Sequence, residues 1–244
     1  ENLPGLPEWI SVRSIAPSRF DAGTAYVAAD GHQVNIFDPH VYRNRDYGQS
    51  WDLIVAGLDD PHTFVRVVRE DPGREGLLYG GTEFGLFISF DNGTHWQSFQ
   101  QNLPNVPVAD LKVFRKDLIV GTQGRSFWVL DDIAPLRALA KDVAEGVDLS
   151  TRSQAATARA DGGGSPVRLF PPRDAARGRA SPPMSEVDLA LPDALPEGAL
   201  LSYAVLGPVE SLELTVTDSE GQIAARGAGP VAGEAPSQSG LPCS

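Results

Sequence analysis

The sequence predicts an all-β fold: a partial β-propeller of about three four-stranded blades, followed by a linker and a truncated β-sandwich-like segment. Three observations predict it. First, Asn44-Arg45-Asp46-Tyr47-Gly48-Gln49-Ser50-Trp51 and Ser89-Phe90-Asp91-Asn92-Gly93-Thr94-His95-Trp96 share the pattern x-x-Asp-x-Gly-x-x-Trp, with the two Asp 45 positions apart. Second, apolar alternation through Leu86, Ile88 and Phe90 breaks at Asp-Asn-Gly, a hairpin-turn signal. The Asp side chain can accept turn N–H groups, Gly can take positive φ, and Trp opens the returning strand with a large apolar surface. Third, Gly81-Thr82 stands ten residues before Asp91, and Gly121-Thr122 ten residues before Asp131. Units recurring every 40–45 residues or so, each with several short strands, read as propeller blades.

The strands follow in order. In blade one, residues 9–16 alternate and stop at Pro17, and Thr24 to Ala29 is the second strand. The polar stretch Asp30 to His40 reads as a long loop. Val41 to Asn44 and Trp51 to Val55 flank the first Asp turn. Blade two repeats this with Thr63 to Arg69, Gly76 to Gly81, Leu86 to Phe90 and Trp96 to Phe99. Blade three has Val108 to Phe114, Asp117 to Gly121 and Ser126 to Leu130, without an obvious fourth strand and with its hairpin turn replaced by Asp132-Ile133-Ala134. Blades therefore occupy residues 1–137.

Residues 138–185 form a linker and Pro-rich connector. Within and just before it, Pro135 to Val143 suits a short helix, residues 150–165 are mostly Ser, Thr, Ala and Gly, and Val167 to Phe170 suits a lone strand that could complete blade three. Arg173, Arg177 and Arg179 read as solvated or packed on the propeller flank. Residues 186–226 read as the start of a β-sandwich-like domain, with strands at Leu200 to Val205, Leu212 to Val216 and Gln222 to Arg226 around the turn at Asp218 to Gly221. Residues 227–244 are mostly Gly, Ala, Pro and Ser, and little order is expected there.

Composition excludes some functions. The net charge of −12 opposes electrostatic nucleic-acid binding. No apolar run is long enough to span a bilayer, and no signal peptide is visible. A single cysteine, Cys243, rules out an intrachain disulfide or a cysteine metal cluster. His32, His40 and His62 lack the tight spacing of a zinc site, so neither metal nor cofactor is expected.

The octapeptides resemble the Asp-box, or BNR repeat, of sialidase-like and sortilin-like propellers. The strings from Asp71-Pro72 to Leu86, from Asn102-Leu103-Pro104 to Val113, and Gly121-Thr122-Gln123-Gly124-Arg125-Ser126-Phe127-Trp128-Val129-Leu130-Asp131-Asp132 resemble the last blades of large bacterial BNR-repeat glycosyl-hydrolase-like or sortilin-domain proteins. The resemblance covers residues 1–137 well and the later segments more loosely. Asn44 and His95 depart from the Ser and Thr that the Asp-box prefers. The resemblance implies a secreted or periplasmic protein of which this is the C-terminal part, the earlier blades lying upstream. An unclosed ring would leave Trp9, Ile15 and Val27 facing water.

Blade topology sorts the loops. The turns between strands one and two and between strands three and four share a face; the two-to-three loops and the blade connections share the opposite one, where propellers generally bind ligands. Asp46, Gly48, Trp51, Asp91, Gly93 and Trp96 therefore read as structural. The opposite face holds His32, Asp38, His40, His62 and Arg125 as binding candidates, with Glu83, Gln123 and Asn105 beside them. A glycosidase needs two carboxylates across the scissile bond. Glu83 with Asp59 or Asp60 is the pair that the topology places on one face. Glu83 could instead hold a tight turn, and Arg125 could bind a ligand or brace Asp131 or Asp132. Two functions stay open: a carbohydrate-active protein, or a sortilin-type scaffold that binds peptides or proteins. Only Phe37 and Phe84 supply aromatic rings to the face loops.

Overall fold

The computed structural model describes residues 3–59, 63–146, 167–173, 201–205 and 212–228. The chain divides into two units, Glu1–Val147 and Asp148–Ser244. Within the first, three antiparallel sheets follow one another along the sequence, a partial propeller-like all-β arrangement. The first sheet has the order β1 (Ser11–Pro17), β2 (Ala25–Gly31), β3 (Ile36–Asn44), β4 (Asp52–Leu53). The second has β5 (Val65–Glu70), β6 (Leu78–Thr82), β7 (Gly85–Ser89) and β8 (Gln97–Ser98). The third has β9 (Val108–Phe114), β10 (Asp117–Thr122) and β11 (Phe127–Leu130). Each outer strand, β4 and β8, begins immediately after the Trp of its octapeptide, so Trp51 and Trp96 stand at equivalent places in neighbouring sheets.

The middle sheet is buried on both sides, which explains its dense apolar composition. Leu78 packs toward the first sheet in a cluster with Tyr26, Val41, Ile54, Val65, Val68 and Trp96. Its neighbour Tyr79 points the other way, into a cluster with Val67, Leu86, Ile88, Val108, Leu111 and Leu118. This alternation is the period-two geometry of a strand placed between two packed faces.

Several expectations are corrected. The stretch from Asp30 to His40 is not a long loop. β2 and β3 extend through most of it as a hairpin, Gly31 opposite Ile36 and Ala29 opposite His40. The hairpin closes on a 3-10 turn, His32–Val34, with Asn35 at φ 62°. Asp30 drives this closure by accepting the His32 backbone N–H at 2.8 Å. The third sheet has three strands among the described residues, where four were expected. The chain turns inward after β11: Ile133 is fully buried, and its N–H donates to the Lys116 carbonyl at 2.7 Å. Pro135 then starts helix α1 (Ala134–Ala144), whose Leu136 and Ala140 join the core shared by the second and third sheets.

Val27 was expected in water and is instead buried, whereas Trp9 and Ile15 are exposed. The N-terminal segment reaches this part of the first sheet: the hydroxyl of Tyr42, paired with Val27, donates to the Pro4 carbonyl at 3.1 Å.

In the second unit, β12 (Val167–Leu169) pairs antiparallel with β13 (Tyr203–Val205), and β14 (Glu213–Thr217) with β15 (Ile223–Ala228). Val167–Leu169 is thus neither a lone strand nor the outer strand of the third sheet. β15 runs two residues beyond the expected end of the strand-rich segment, into the stretch expected to lack order. The Ser/Thr/Ala/Gly linker at 150–165, the positions Arg177 and Arg179, and residues 229–244 lie outside the described residues.

Two interior tyrosines make the fold sensitive to alkali. The Tyr26 phenol is pushed up by burial, and further by the Glu70 carboxylate. The Tyr79 phenol is pushed up by burial, and further by Asp71. An unfolded tyrosine ionises near about pH 10, so the stabilisation from these neutral phenols is complete below that pH and lost as pH rises above it. Urea midpoints are expected to fall between about pH 10 and 11.5, and less steeply in Tyr26→Phe. An unchanged slope in that variant would remove Tyr26 from the explanation.

Candidate functional site

The octapeptide turns are closed by hydrogen bonds among their own residues. In the first, Asp46 Oδ1 accepts the N–H groups of Gln49 and Ser50, both at 2.9 Å, and its Oδ2 accepts the Ser50 hydroxyl at 2.6 Å. The hydroxyl of Ser50, then its backbone N–H, draw the Asp46 carboxyl below the usual carboxylate range. In the second, Asp91 Oδ1 accepts the His95 N–H at 2.9 Å and the Ser89 hydroxyl at 2.8 Å. Ser89 Oγ accepts the Gly93 N–H at 2.9 Å, and Asn44 Oδ1 accepts the Gly48 N–H at 2.8 Å. Asn44 thus does with an amide oxygen what Ser89 does with a hydroxyl, which explains how the first turn tolerates that residue. His95 contributes its backbone and leaves its side chain exposed, so its identity is little constrained.

The second turn also joins the sheets. Arg43 donates to the Asn92 carbonyl at 2.7 Å. The Tyr26 hydroxyl donates to Asn92 Oδ1 at 2.6 Å, with Glu70 Oε1 3.2 Å away. Trp96 donates from Nε1 to the Ile54 carbonyl at 2.9 Å and from its backbone to Ala56. Gly93, at φ 82°, lies so close to Ile54 that a Cβ there would collide with it. Asp91→Ala removes one backbone and one side-chain hydrogen bond and is expected to cost about 1 kcal/mol of stability. Denaturation beside a ligand titration checks this; weakened binding at unchanged stability would contradict a structural role.

A cleft of about 270 Å³ opens where the β2–β3 hairpin, the start of β5 and the β6–β7 turn meet, lined by His32, Phe37, Phe64, Arg66, Glu83 and Phe84. The three elements converge for topological reasons, since two-to-three turns and sheet-to-sheet connections end on the same side of stacked sheets. Phe64 is the buried floor. The His32 ring lies nearly parallel to it, centroids 5.0 Å apart and planes at 14°, and Phe37 leans on it at 6.2 Å. The Arg66 guanidinium sits 5.1 Å from the Phe64 centroid, a cation–π distance. Arg66 also donates from Nε (3.0 Å) and Nη2 (2.5 Å) to Glu83 Oε2. Phe84 is 44% exposed, leaving much of its surface open to a ligand.

Asp30 stands behind His32. Its carboxylate is almost wholly buried, both oxygens lie 2.7 Å from His32 Nδ1, and Arg13 Nε is 3.3 Å from Oδ2. Burial of this charge is offset by two cationic or donor side chains and a backbone N–H, and the same contacts fix the position of the His32 ring.

Of the residues that the sequence singled out for this face, the structure brings His32 and Glu83 into the cleft, with Phe37 and Phe84. His40 is a buried β3 residue, its Nδ1 2.8 Å from the Asp38 carbonyl, and Asp38 is exposed on the same strand. Asp59 is exposed, and Asp60 and His62 lie outside the described residues. Arg125 is exposed in the β10–β11 turn, where its carbonyl accepts Trp128 Nε1 at 3.0 Å. Asp132 is held by other partners: its N–H donates to Asp117, and its Oδ1 accepts the Ala134 N–H. Gln123 and Asn105 are exposed. Sequence reasoning missed Phe64, Arg66 and Asp30. A charged residue within the apolar run Val65-Arg66-Val67-Val68 was the available signal, because such a residue needs a partner. Among the described residues no group of three or more His, Cys, Asp or Glu could hold a metal ion.

No family model matches the sequence, and no curated protein does. Among solved structures, a GH74 enzyme from Niastella koreensis is 15% identical at a TM-score of 0.40, over 50% of this chain and 21% of that one. A GH74 xyloglucanase from Xanthomonas campestris is 19% identical at a TM-score of 0.38, over 50% of this chain and 22% of that one. YCF48 from Cyanidioschyzon merolae is 13% identical at a TM-score of 0.37, over 73% of this chain and 51% of that one. The match thus spans little more than a fifth of either GH74 chain and about half of YCF48. At such values the likenesses carry no conclusion about activity.

Proposed function

We propose that the chain is part of an Asp-box propeller protein, exported from the cytoplasm, which binds a neutral carbohydrate in the cleft beside Phe64 without cleaving it there. The observation that supports this most is the Arg66–Glu83 pair. Its charges compensate, so the cleft offers no net charge to an anion or a cation. It does offer donors and a carboxylate oxygen side by side, the pattern that engages adjacent hydroxyls of a sugar ring. Phe84 supplies an open apolar surface for the C–H face of such a ring. Glu83 is engaged as an ion-pair partner, a role unlike that of the protonated acid which glycoside cleavage requires. Export rests on the Asp-box resemblance alone.

Calorimetry with neutral tetrasaccharides of glucose, xylose and galactose tests the reading. At least one is expected to bind, with about a tenfold loss in Phe84→Ala and a larger loss in Arg66→Ala, and with no new reducing ends released. The sortilin-type alternative draws on the three phenylalanines, which would also accept an apolar peptide side chain. Binding of Leu- or Phe-ended peptides with no binding of any sugar would replace the carbohydrate reading.

A further inference from the structure

We infer that His32 is a specificity-determining residue of the cleft: Asp30 fixes its Nδ1–H tautomer, so that Nε2 presents a lone pair to a ligand hydroxyl. The inference rests on the ligand reading above and adds to it a particular hydrogen bond with a direction.

Asp30 is the source of that direction. A buried carboxylate is an acceptor, and its two oxygens both lie 2.7 Å from His32 Nδ1. The proton of a neutral imidazole is therefore drawn to Nδ1, and the other nitrogen becomes an acceptor. Three further contacts restrain the ring. The His32 backbone N–H donates to Asp30 Oδ1, the ring stacks on Phe64, and Arg13 holds Oδ2 of Asp30. Among the described residues Nε2 makes no hydrogen bond, although the ring lines the cleft.

The pattern complements the opposite wall. Arg66 brings donors, and Glu83 is already engaged by two of them. A ligand hydroxyl that accepts from Arg66 has its own proton to place, and a neutral Nε2 accepts it. A methyl ether at that position could not donate and would lose the contact. Among the described residues, the charged groups around the ring are Asp30 and Arg13 on the side of the first sheet, and Arg66 and Glu83 on the side of the second. Asp30 is a positioning residue here, since it acts only through His32.

The test uses the 244-residue chain with 15N-labelled histidine and the neutral tetrasaccharides named above. The free protein is expected to show His32 as the Nδ1–H tautomer at about pH 7.5, with an acceptor-type Nε2 resonance that moves upfield when a sugar binds. His32→Phe, which keeps a ring against Phe64, is expected to bind the same sugar about tenfold more weakly. Sugar binding with His32 as the Nε2–H tautomer or as imidazolium at pH 7.5, or with an unmoved Nε2 resonance, overturns the inference and leaves the carbohydrate reading standing. Failure of every sugar to bind overturns that reading, and the inference with it. The tautomer measurement is made on the unaltered chain, so it decides the matter even if His32→Phe folds poorly.

Discussion

Trp96→Ala is expected to lower the unfolding free energy by about 3–5 kcal/mol, the range for removing a fully buried large aromatic. Trp96 is 1% exposed, and its ring lies in the core shared by the first and second sheets, with its edge against Gly80. Truncation would open a cavity between the sheets and strip the Ile54 carbonyl of its indole donor. Gly57, at φ 92°, exists to let the chain pass close to the Trp96 carbonyl, so the backbone there has little room to collapse into the gap. Trp51→Ala supplies the contrast. It occupies the same place in its own turn but is half-buried, and a loss of less than half as much is expected. Urea unfolding of the two variants checks the difference. Equal losses would mean that the position within the motif, rather than burial between sheets, sets the contribution of the tryptophan.

Arg137→Met is expected to cost about 2–4 kcal/mol. Asp71 is fully buried, and the Arg137 guanidinium reaches from helix α1 to place Nε 2.9 Å from its Oδ1. Removing one partner of a buried ion pair leaves an uncompensated charge, which usually costs more than the pair contributed. Two other donors moderate the loss here: the Gly73 N–H at 2.7 Å and the Tyr79 hydroxyl at 3.2 Å. The second substitution Asp71→Asn, made in the Arg137→Met background, is expected to restore part of the stability by removing the orphaned charge. Additive losses in that double variant would show that Asp71 and Arg137 are not energetically coupled.

The turns were legible because their chemistry is local. Asp46, Gly48, Asp91 and Gly93 bond within a few residues of themselves, so the pattern x-x-Asp-x-Gly-x-x-Trp encodes its own hydrogen bonds. The sheet order was legible from the same repeat. The ends of the strands were less so, because β2 and β3 continue through polar residues when a side chain such as Asp30 closes their turn. Its polar surroundings in the sequence suit His40 to a loop, yet its neighbour across the pair, Ala29, keeps it in a sheet. The third sheet broke from the pattern where Ile133 replaced a turn glycine, and an apolar residue there could bury itself and start a helix. Half of the cleft was visible as the residues of two turns, His32 and Glu83 with Phe37 and Phe84. The other half was hidden because Phe64 and Arg66 sit at the entrance of a strand whose alternation reads as core. Glu83 reaches Arg66 through the pairing of β5 with β6, whereas His32 reaches Phe64 only because the first sheet packs on the second.

Titrating a neutral tetrasaccharide into the labelled chain while following backbone amide shifts tests sugar binding in the cleft at the level of single residues. Shifts are expected to concentrate at His32, Phe37, Phe64, Arg66, Glu83 and Phe84, while residues 44–51 and 89–96 stay still. A saturable response centred on the two octapeptide turns, or one confined to residues 203–228, would contradict it.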